Sequence, residues 1–474
     1  MQAGRSHYID GVWQAASSAA AIPVINPATE VLIAEAASGS AADAARAAQA
    51  ARKAFDRWSQ TPLAERIALL ERVRAGIEVR ADELASLITA EMGCPIGFSR
   101  AAQIGLAMGD IRATLAVAEA LQDRQLGRSI VQNDPIGVVV AITPWNFPLH
   151  QILAKIAPAL AAGCTVVLKP SEVTPLDATI LAEIFHAAGT PRGVFNMVLG
   201  GRETGAALVT QPEVDMVSFT GSTRGGRAVA EIAGRELKKA ALELGGKSAN
   251  IILDDADLEK IIPAALGQAF INSGQVCAAL SRLIVPQSRQ AEAEAIAVEA
   301  ARAWTMGDPT DPANRLGPLA NATQQDRVRQ AIAGAVDEGA VILCGGPDQP
   351  AGLPRGAYVS PTILSNVTRA ITIFREETFG PVLSVIGYTD EADAIQIAND
   401  SPYGLSGGVW SDSLERAEGV ARRMRTGQVI LNGASLDLAA PFGGVKQSGL
   451  GRENGRYGLE EYCSPKAITR PQPR

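Results

Sequence analysis

Gly137-Val138-Val139-Val140-Ala141-Ile142-Thr143-Pro144-Trp145-Asn146-Phe147-Pro148 is the stretch whose reading decides the fold. Residues 137–142 are apolar and mostly β-branched, with no polar residue at alternate positions. A strand of that kind is buried on both faces, which places it inside a parallel sheet covered by helices. The strand stops at Thr143-Pro144, and a helix is expected over 149–161. Thr165-Val166-Val167-Leu168-Lys169 repeats the pattern ahead of a helix over 176–188. Val194–Leu199 and Val214–Thr220 read as two further strands, each leading into a helix. Strand–helix units of this length imply right-handed crossovers and a parallel sheet.

Residues 40–92, upstream, are alanine-rich, with Ile67, Leu70, Val73 and Ile77 spaced for a helix. Pro62 is expected to open that helix at its first turn, with Thr61 as its cap. Downstream a second α/β set is expected. It comprises a strand Ala249–Leu253, a helix over 257–272, a strand Leu283–Val285 and a helix over 288–305. Further strands fit Val341–Leu343, 361–364, Pro381–Tyr388 and Val429–Leu431. Ser129–Asn133 and Tyr462–Thr469 read as exposed strands with nothing local to pair with, so pairing between chains is expected there.

The chain has 474 residues, 47% of them hydrophobic, and a net charge of −7, which is ordinary for a soluble globular protein. That balance leaves no basic footprint for nucleic acid or anionic lipid, and no apolar run is long enough for a membrane span. The first residues lack an apolar signal region, and a cytoplasmic protein is expected. Five scattered cysteines, an odd number never spaced Cys-x-x-Cys, argue against disulfides and zinc. His7, His150 and His186 are too far apart for a helical metal pair, so no metal is expected.

Several short segments carry chemistry. In Asn272-Ser273-Gly274-Gln275-Val276-Cys277 a small-residue bend delivers one thiol. Glu243 stands alone in Leu242-Glu243-Leu244-Gly245-Gly246-Lys247, a carboxylate that could activate water. Two prolines and two aromatics around Asn146 would hold its amide rigidly, either as an oxyanion donor or as a helix cap. Phe219-Thr220-Gly221-Ser222-Thr223 joins a strand to a helix, where backbone N–H groups can meet a phosphate or merely form a tight turn. It lacks the G-x-G-x-x-G fingerprint. Leu244–Ser248 is not a nucleotide-triphosphate loop, because Ala241 stands where a glycine is needed and a strand follows. Lys169-Pro170-Ser171-Glu172 lies at a strand's carboxyl end, where open α/β sheets bind ligands.

With Tyr8–Trp13, Glu376–Val382 and Pro441–Lys446 added, these segments resemble the NAD(P)-dependent aldehyde dehydrogenase superfamily, in order and over essentially the full length. The resemblance implies an α/β fold with a Rossmann-type cofactor domain, an α/β catalytic domain and a small β oligomerisation element. The cofactor domain would be 1–116 and 136–245, the catalytic domain 246–447, and the oligomerisation element 117–135 and 448–474.

It implies Cys277 as nucleophile, Asn146 with the Cys277 backbone N–H as oxyanion donors, and Glu243 as general base. An aldehyde would form a thiohemiacetal on the sulfur, lose hydride to leave a thioester, and be released as the acid by water. Thr143, Pro144, Trp145, Lys169, Ser171, Glu172, Gly205, Phe219, Thr220, Gly221, Ser222, Leu244, Glu377 and Phe379 would bind the cofactor. Glu172 suits a free ribose 2′-hydroxyl, so NAD is expected, with NADP as the alternative. A homodimer or homotetramer is implied, with a small-molecule aldehyde as the only other partner.

Transfer to coenzyme A is the rival reaction, disfavoured because Glu243 is kept. A non-enzymatic use of the fold is disfavoured by the retained Cys277 and Asn146, and an ester hydrolase by the cofactor segments. The funnel to Cys277 is expected near His150, Gln151, Ala154, Val276, Ala278, Ser435, Leu436 and Leu438. No arginine there would grip a carboxylate, so a medium-sized aliphatic or aromatic aldehyde is expected, with a carboxylated semialdehyde as the alternative.

Overall fold

The structure is a computed structural model and describes residues 6–471; the reading of Met1–Arg5 as free of a signal region lies outside it. Eight strands form the first sheet. Its parallel centre runs, in spatial order, Phe195–Met197, Thr165–Lys169, Val138–Ile142, Met216–Thr220, Lys239–Glu243. Alternate residues of the decisive strand face opposite layers. Val139 and Ala141 pack beneath the helices Leu63–Val79, Pro148–Ala162 and Leu176–Ala187, while Val138, Val140 and Ile142 face the other side. On that side Ala44, Ala47, Ala48 and Ala51 form one stripe of the helix Ala41–Ser59, and their small side chains let the helix lie close to the sheet.

The second sheet has seven strands and holds Ala249–Ile252, Arg282–Pro286, Thr362–Ser365, Val382–Tyr388, Gly407–Trp410 and Ile430–Leu431 in parallel. Val341–Cys344 adds an antiparallel edge. Gly449–Leu450 returns to the first sheet and pairs with Leu242 and Glu243, so part of the chain's last stretch adjoins the carboxylate of interest.

Two local expectations are corrected. Thr61 does not cap the helix Leu63–Val79: Pro62 holds the cap position without a side-chain bond, and the Thr61 hydroxyl donates back to the Arg57 carbonyl. Ser129–Pro135 and Cys463–Thr469 do have a partner within the chain, because they pair with each other from Ser129↔Thr469 to Pro135↔Cys463. Arg124–Leu126 completes this three-stranded sheet. The outer edges of Cys463–Thr469 and Arg124–Leu126 stay unpaired among the described residues.

Candidate active site

In the first sheet the chain crosses from Val138–Ile142 to one side, then returns to its other side through Met216–Thr220. The two crossovers diverge at the carboxyl ends of these neighbouring strands, which is where an open α/β sheet leaves a crevice. Thr143–Asn146 and Gly221–Ser222 leave those two ends, and Lys169 and Glu243 end the flanking strands. A cleft of about 540 Å³ opens here, walled by Pro144, Trp145, Asn146, Thr220, Gly221, Ser222, Leu244, Cys277, Glu377 and Phe379, among others. Thr143, Lys169, Ser171, Glu172, Gly205 and Phe219 are not among the residues walling it. Lys169 Cδ lies against Gly205, where a Cβ would stand 3.4 Å away.

Cys277 is delivered by an unusual backbone. Asn272, Ser273 and Gly274 are consecutive left-handed residues, with φ of 54°, 55° and 71°. Asparagine and glycine tolerate that region, whereas Ser273 is strained there. A Cβ on Gly274 would run into the Gly380 carbonyl, and one on Gly246 into the Cys277 carbonyl. Both glycines are required by close approach. Burial, then the nearby Glu377 and Glu243 carboxylates, push the Cys277 thiol up to about 12. The sulfur therefore rests as a thiol.

Asn146 is buried and does not cap a helix. Its Nδ2 donates to the Gln275 carbonyl at 3.0 Å, two residues before the thiol. Its own carbonyl accepts from Gln103 Nε2 at 3.0 Å and Asn272 Nδ2 at 2.9 Å. Gln275 is locked in turn, accepting from the Ala320 N–H at 2.9 Å. One Nδ2 hydrogen is thus used to orient the amide, and the second remains. Gln103 and Gln275 were not singled out for roles by sequence reasoning; their amide type was the only clue.

Glu243 is buried, and its Oε2 has no hydrogen-bond partner among the described residues. Burial and the Glu453 carboxylate raise its carboxyl well above the usual range, opposed by Lys155 and Arg452. Lys155 Nζ is fully buried, pairs with Glu453 and donates to Thr220 Oγ1 at 2.6 Å. This Lys155–Glu453 pair was missed in the sequence, where the two residues stand 298 positions apart.

The residues present fit a dinucleotide. The hydroxyl of Thr143 is buried without a partner among the described residues, at the crevice. The N-terminus of the helix Thr223–Arg235 abuts the cleft through its cap Ser222, and the Ser222 hydroxyl accepts from the Gly225 N–H and keeps its own hydrogen to donate. Lys169 Nζ is buried on the Pro170 and Gly200 carbonyls, with Glu172 at 3.5 Å. Trp145 and Phe379 meet edge to face, ring centres 5.4 Å apart. Glu377 accepts from the Gly246 N–H at 3.0 Å, and burial lifts its carboxyl to about 7.

Behind Asn146, His150 Nδ1 stands 2.6 Å from Asp110 Oδ2 on the helix Gly105–Ala116. The neighbouring Gly109 faces Leu438 of the late loop. Ser435 and Leu436 are exposed, and Gln151 and Ala154 are buried on the same helix as His150.

The family model for the aldehyde dehydrogenase family matches residues 13–468. A Pseudomonas sp protein named 3-succinoylsemialdehyde-pyridine dehydrogenase is 50% identical over 472 residues, covering 98% of both chains. A mutant of aldehyde dehydrogenase C from Pseudomonas syringae, solved with NAD+ and octanal, superposes with a TM-score of 0.96 at 47% identity, covering 99% of this chain and 97% of that one. A Mycobacterium tuberculosis aldehyde dehydrogenase solved with NAD+ gives a TM-score of 0.96 at 41% identity over 98% of each chain.

Proposed function

Because the chain belongs to the aldehyde dehydrogenase family and oxidises aldehydes with NAD, we propose that Cys277, Asn146 and Glu243 carry the reaction, in that order of action. The observation that carries this reading is the bond from the Asn146 amide to the carbonyl of Gln275, which fixes an N–H donor in the wall of the cleft that also holds Cys277. Cys277 Sγ passes its proton to solvent in the open cleft and adds as thiolate to the aldehyde carbon. The developing oxygen charge is held by the free Asn146 Nδ2 hydrogen and by the Cys277 N–H, which makes no backbone bond among the described residues. Bound NAD supplies the hydride acceptor, and the acyl group is left on sulfur as a thioester. Glu243, as carboxylate, then takes a proton from water attacking that thioester, its raised pKa making it a stronger base. Glu453, the carboxylate that acts on Glu243 and is paired with Lys155, is the next acceptor for that proton.

Thr143, Pro144, Trp145, Thr220, Gly221, Ser222, Leu244, Glu377 and Phe379 hold the nicotinamide and pyrophosphate side of the cofactor. Lys169, Ser171, Glu172, Gly205 and Phe219 hold its adenosine side. Glu172 is exposed and negative, which supports NAD over NADP. Residues 1–116 with 136–245 form the cofactor domain, 246–447 the catalytic domain, and 117–135 with 448–474 the oligomerisation element. The open edges of the three-stranded sheet support assembly as a homodimer or homotetramer. Five free cysteines support a reducing, cytoplasmic setting, and no described helix is long and apolar enough to cross a membrane.

The substrate is a medium-sized aldehyde with an aliphatic or aryl tail. The named activities of the relatives, on a pyridyl semialdehyde and with octanal bound, span that range. The test is NADH formation by the purified protein with NAD or NADP across an aldehyde panel. A higher kcat/KM with NADP, or faster turnover of succinate semialdehyde than of hexanal and benzaldehyde, would overturn the cofactor or substrate reading respectively.

A further inference from the structure

The reaction as derived uses Cys277, Asn146, Glu243, Lys155 and Glu453, and leaves one buried titratable pair beside the same site with no task. His150 stands on the first turn of the helix Pro148–Ala162, four residues after Asn146, with the Phe147 ring 6.0 Å from its own. Asp110 reaches it from the helix Gly105–Ala116, and Leu438 closes on that helix from the late loop. The helix that carries His150, the helix that carries Asp110 and the late loop therefore pack together here.

The pair has a definite polarity. Asp110 Oδ2 accepts from Nδ1 at 2.6 Å, so Nδ1 carries a hydrogen in either charge state of the ring. Nε2 has no partner among the described residues and is not sealed from solvent, since 11% of the side chain remains accessible. The charges facing the ring are Asp110 and Glu453, which favour the imidazolium, and Lys155, which opposes it. Burial opposes them, but the net shift of the His150 pKa is upward, which favours the ring form in which Nε2, on the accessible side, also carries a hydrogen to donate. An anionic tail would be poorly received there. Asp110 Oδ1 is buried without a partner among the described residues, and Glu453 adds a second negative charge. A neutral acceptor gains the charge-assisted bond without that repulsion.

We infer that His150 is a specificity residue that donates from Nε2 to a neutral hydrogen-bond acceptor, a ketone oxygen or an aromatic ring nitrogen, carried by the aldehyde away from its reacting carbon. Asp110 positions the ring and keeps the donor on Nε2. The inference rests on the proposed aldehyde path past His150 to Cys277.

The test compares kcat/KM for 4-oxo-4-phenylbutanal and 4-phenylbutanal, which differ only in the ketone. Wild type is expected to favour the keto-aldehyde by about tenfold, the size of one charge-assisted bond. His150→Leu should reduce that ratio by about tenfold, chiefly through KM, and His150→Gln, which keeps an N–H donor, should restore part of it. In wild type the ratio should fall as pH rises and Nε2 loses its proton; in His150→Leu it should be flat. A wild-type ratio at or below one, or one that ignores pH, overturns the inference even if no variant folds. Equal losses for both aldehydes in His150→Leu would overturn the donor role while leaving the path intact. No change for either would overturn both. Faster turnover of succinate semialdehyde than of the keto-aldehyde would overturn the preference for a neutral acceptor.

Discussion

Replacing Asn146 with alanine separates the oxyanion role from a merely structural one. Among the described residues the side chain makes one bond, from Nδ2 to the Gln275 carbonyl at 3.0 Å. That carbonyl keeps a longer bond of 3.4 Å from Asn272, so it is not left bare. The loss in folding stability should be about 0.5–1.5 kcal/mol, the worth of one neutral hydrogen bond. The main chain should stay in place, because the Asn146 carbonyl is held independently by Gln103 and Asn272. Removing an oxyanion donor costs far more, about 2.7–4 kcal/mol, or about 10²–10³ in kcat. The variant should therefore melt within a few degrees of wild type, bind NAD, and form NADH at least about a hundredfold more slowly. Rapid mixing should show the first turnover slowed, not only the steady state. A folded variant that loses less than about tenfold in kcat/KM refutes the assignment.

Glu243→Gln should preserve a first burst of NADH and slow subsequent turnover by about 10²–10⁴; a rapid-quench assay that finds steady turnover unchanged removes Glu243 as the base. Wild-type kcat should rise with pH through the raised Glu243 pKa, and that limb should be absent from the residual turnover of the variant. Gly274→Ala should yield little soluble, active protein, because φ is 71° and the added Cβ meets the Gly380 carbonyl; a normally folded, active variant would show that this backbone can relax. Asp177 is buried beside Glu91, and its oxygens have no side-chain partner among the described residues; burial lifts its carboxyl to about 7. A raised folded pKa means stability that is complete below the unfolded value of about 4 and lost as pH rises to about 7. Asp177→Asn should accordingly show a smaller fall in melting temperature between these pH values than wild type does, and identical falls would count against the pair.

Much of the fold was legible because it is written locally. The run Val138–Ile142 is apolar without alternation, and it is a central parallel strand buried on both faces. The spacing of Leu70, Val73 and Ile77 likewise marks the buried face of the helix Leu63–Val79. The Thr61 cap failed because Pro62 took the cap position and the hydroxyl found Arg57 instead. The pairing of Ser129 with Thr469 failed for a different reason: strand pairing depends on register with a segment 340 residues away, which no local pattern encodes. In the site, Cys277, Glu243 and Asn146 stood out because their neighbours are glycine, proline and aromatic residues that leave one reactive group at a time. Gln103, Lys155 and Glu453 have no such setting, and their partners are 43 to 298 positions distant.

The sequence by itself determined which side chains can react and which strands and helices exist, since side-chain type and apolar period act over a few residues. Tertiary structure decided the state in which the reactive groups rest. Burial and neighbouring carboxylates raise the proton affinity of both Cys277 and Glu243, and folding sets Lys155 between Thr220 and Glu453 and turns His150 towards Asp110. Protonation and orientation depend on dielectric and on neighbours in space, and both exist only once distant segments have packed together.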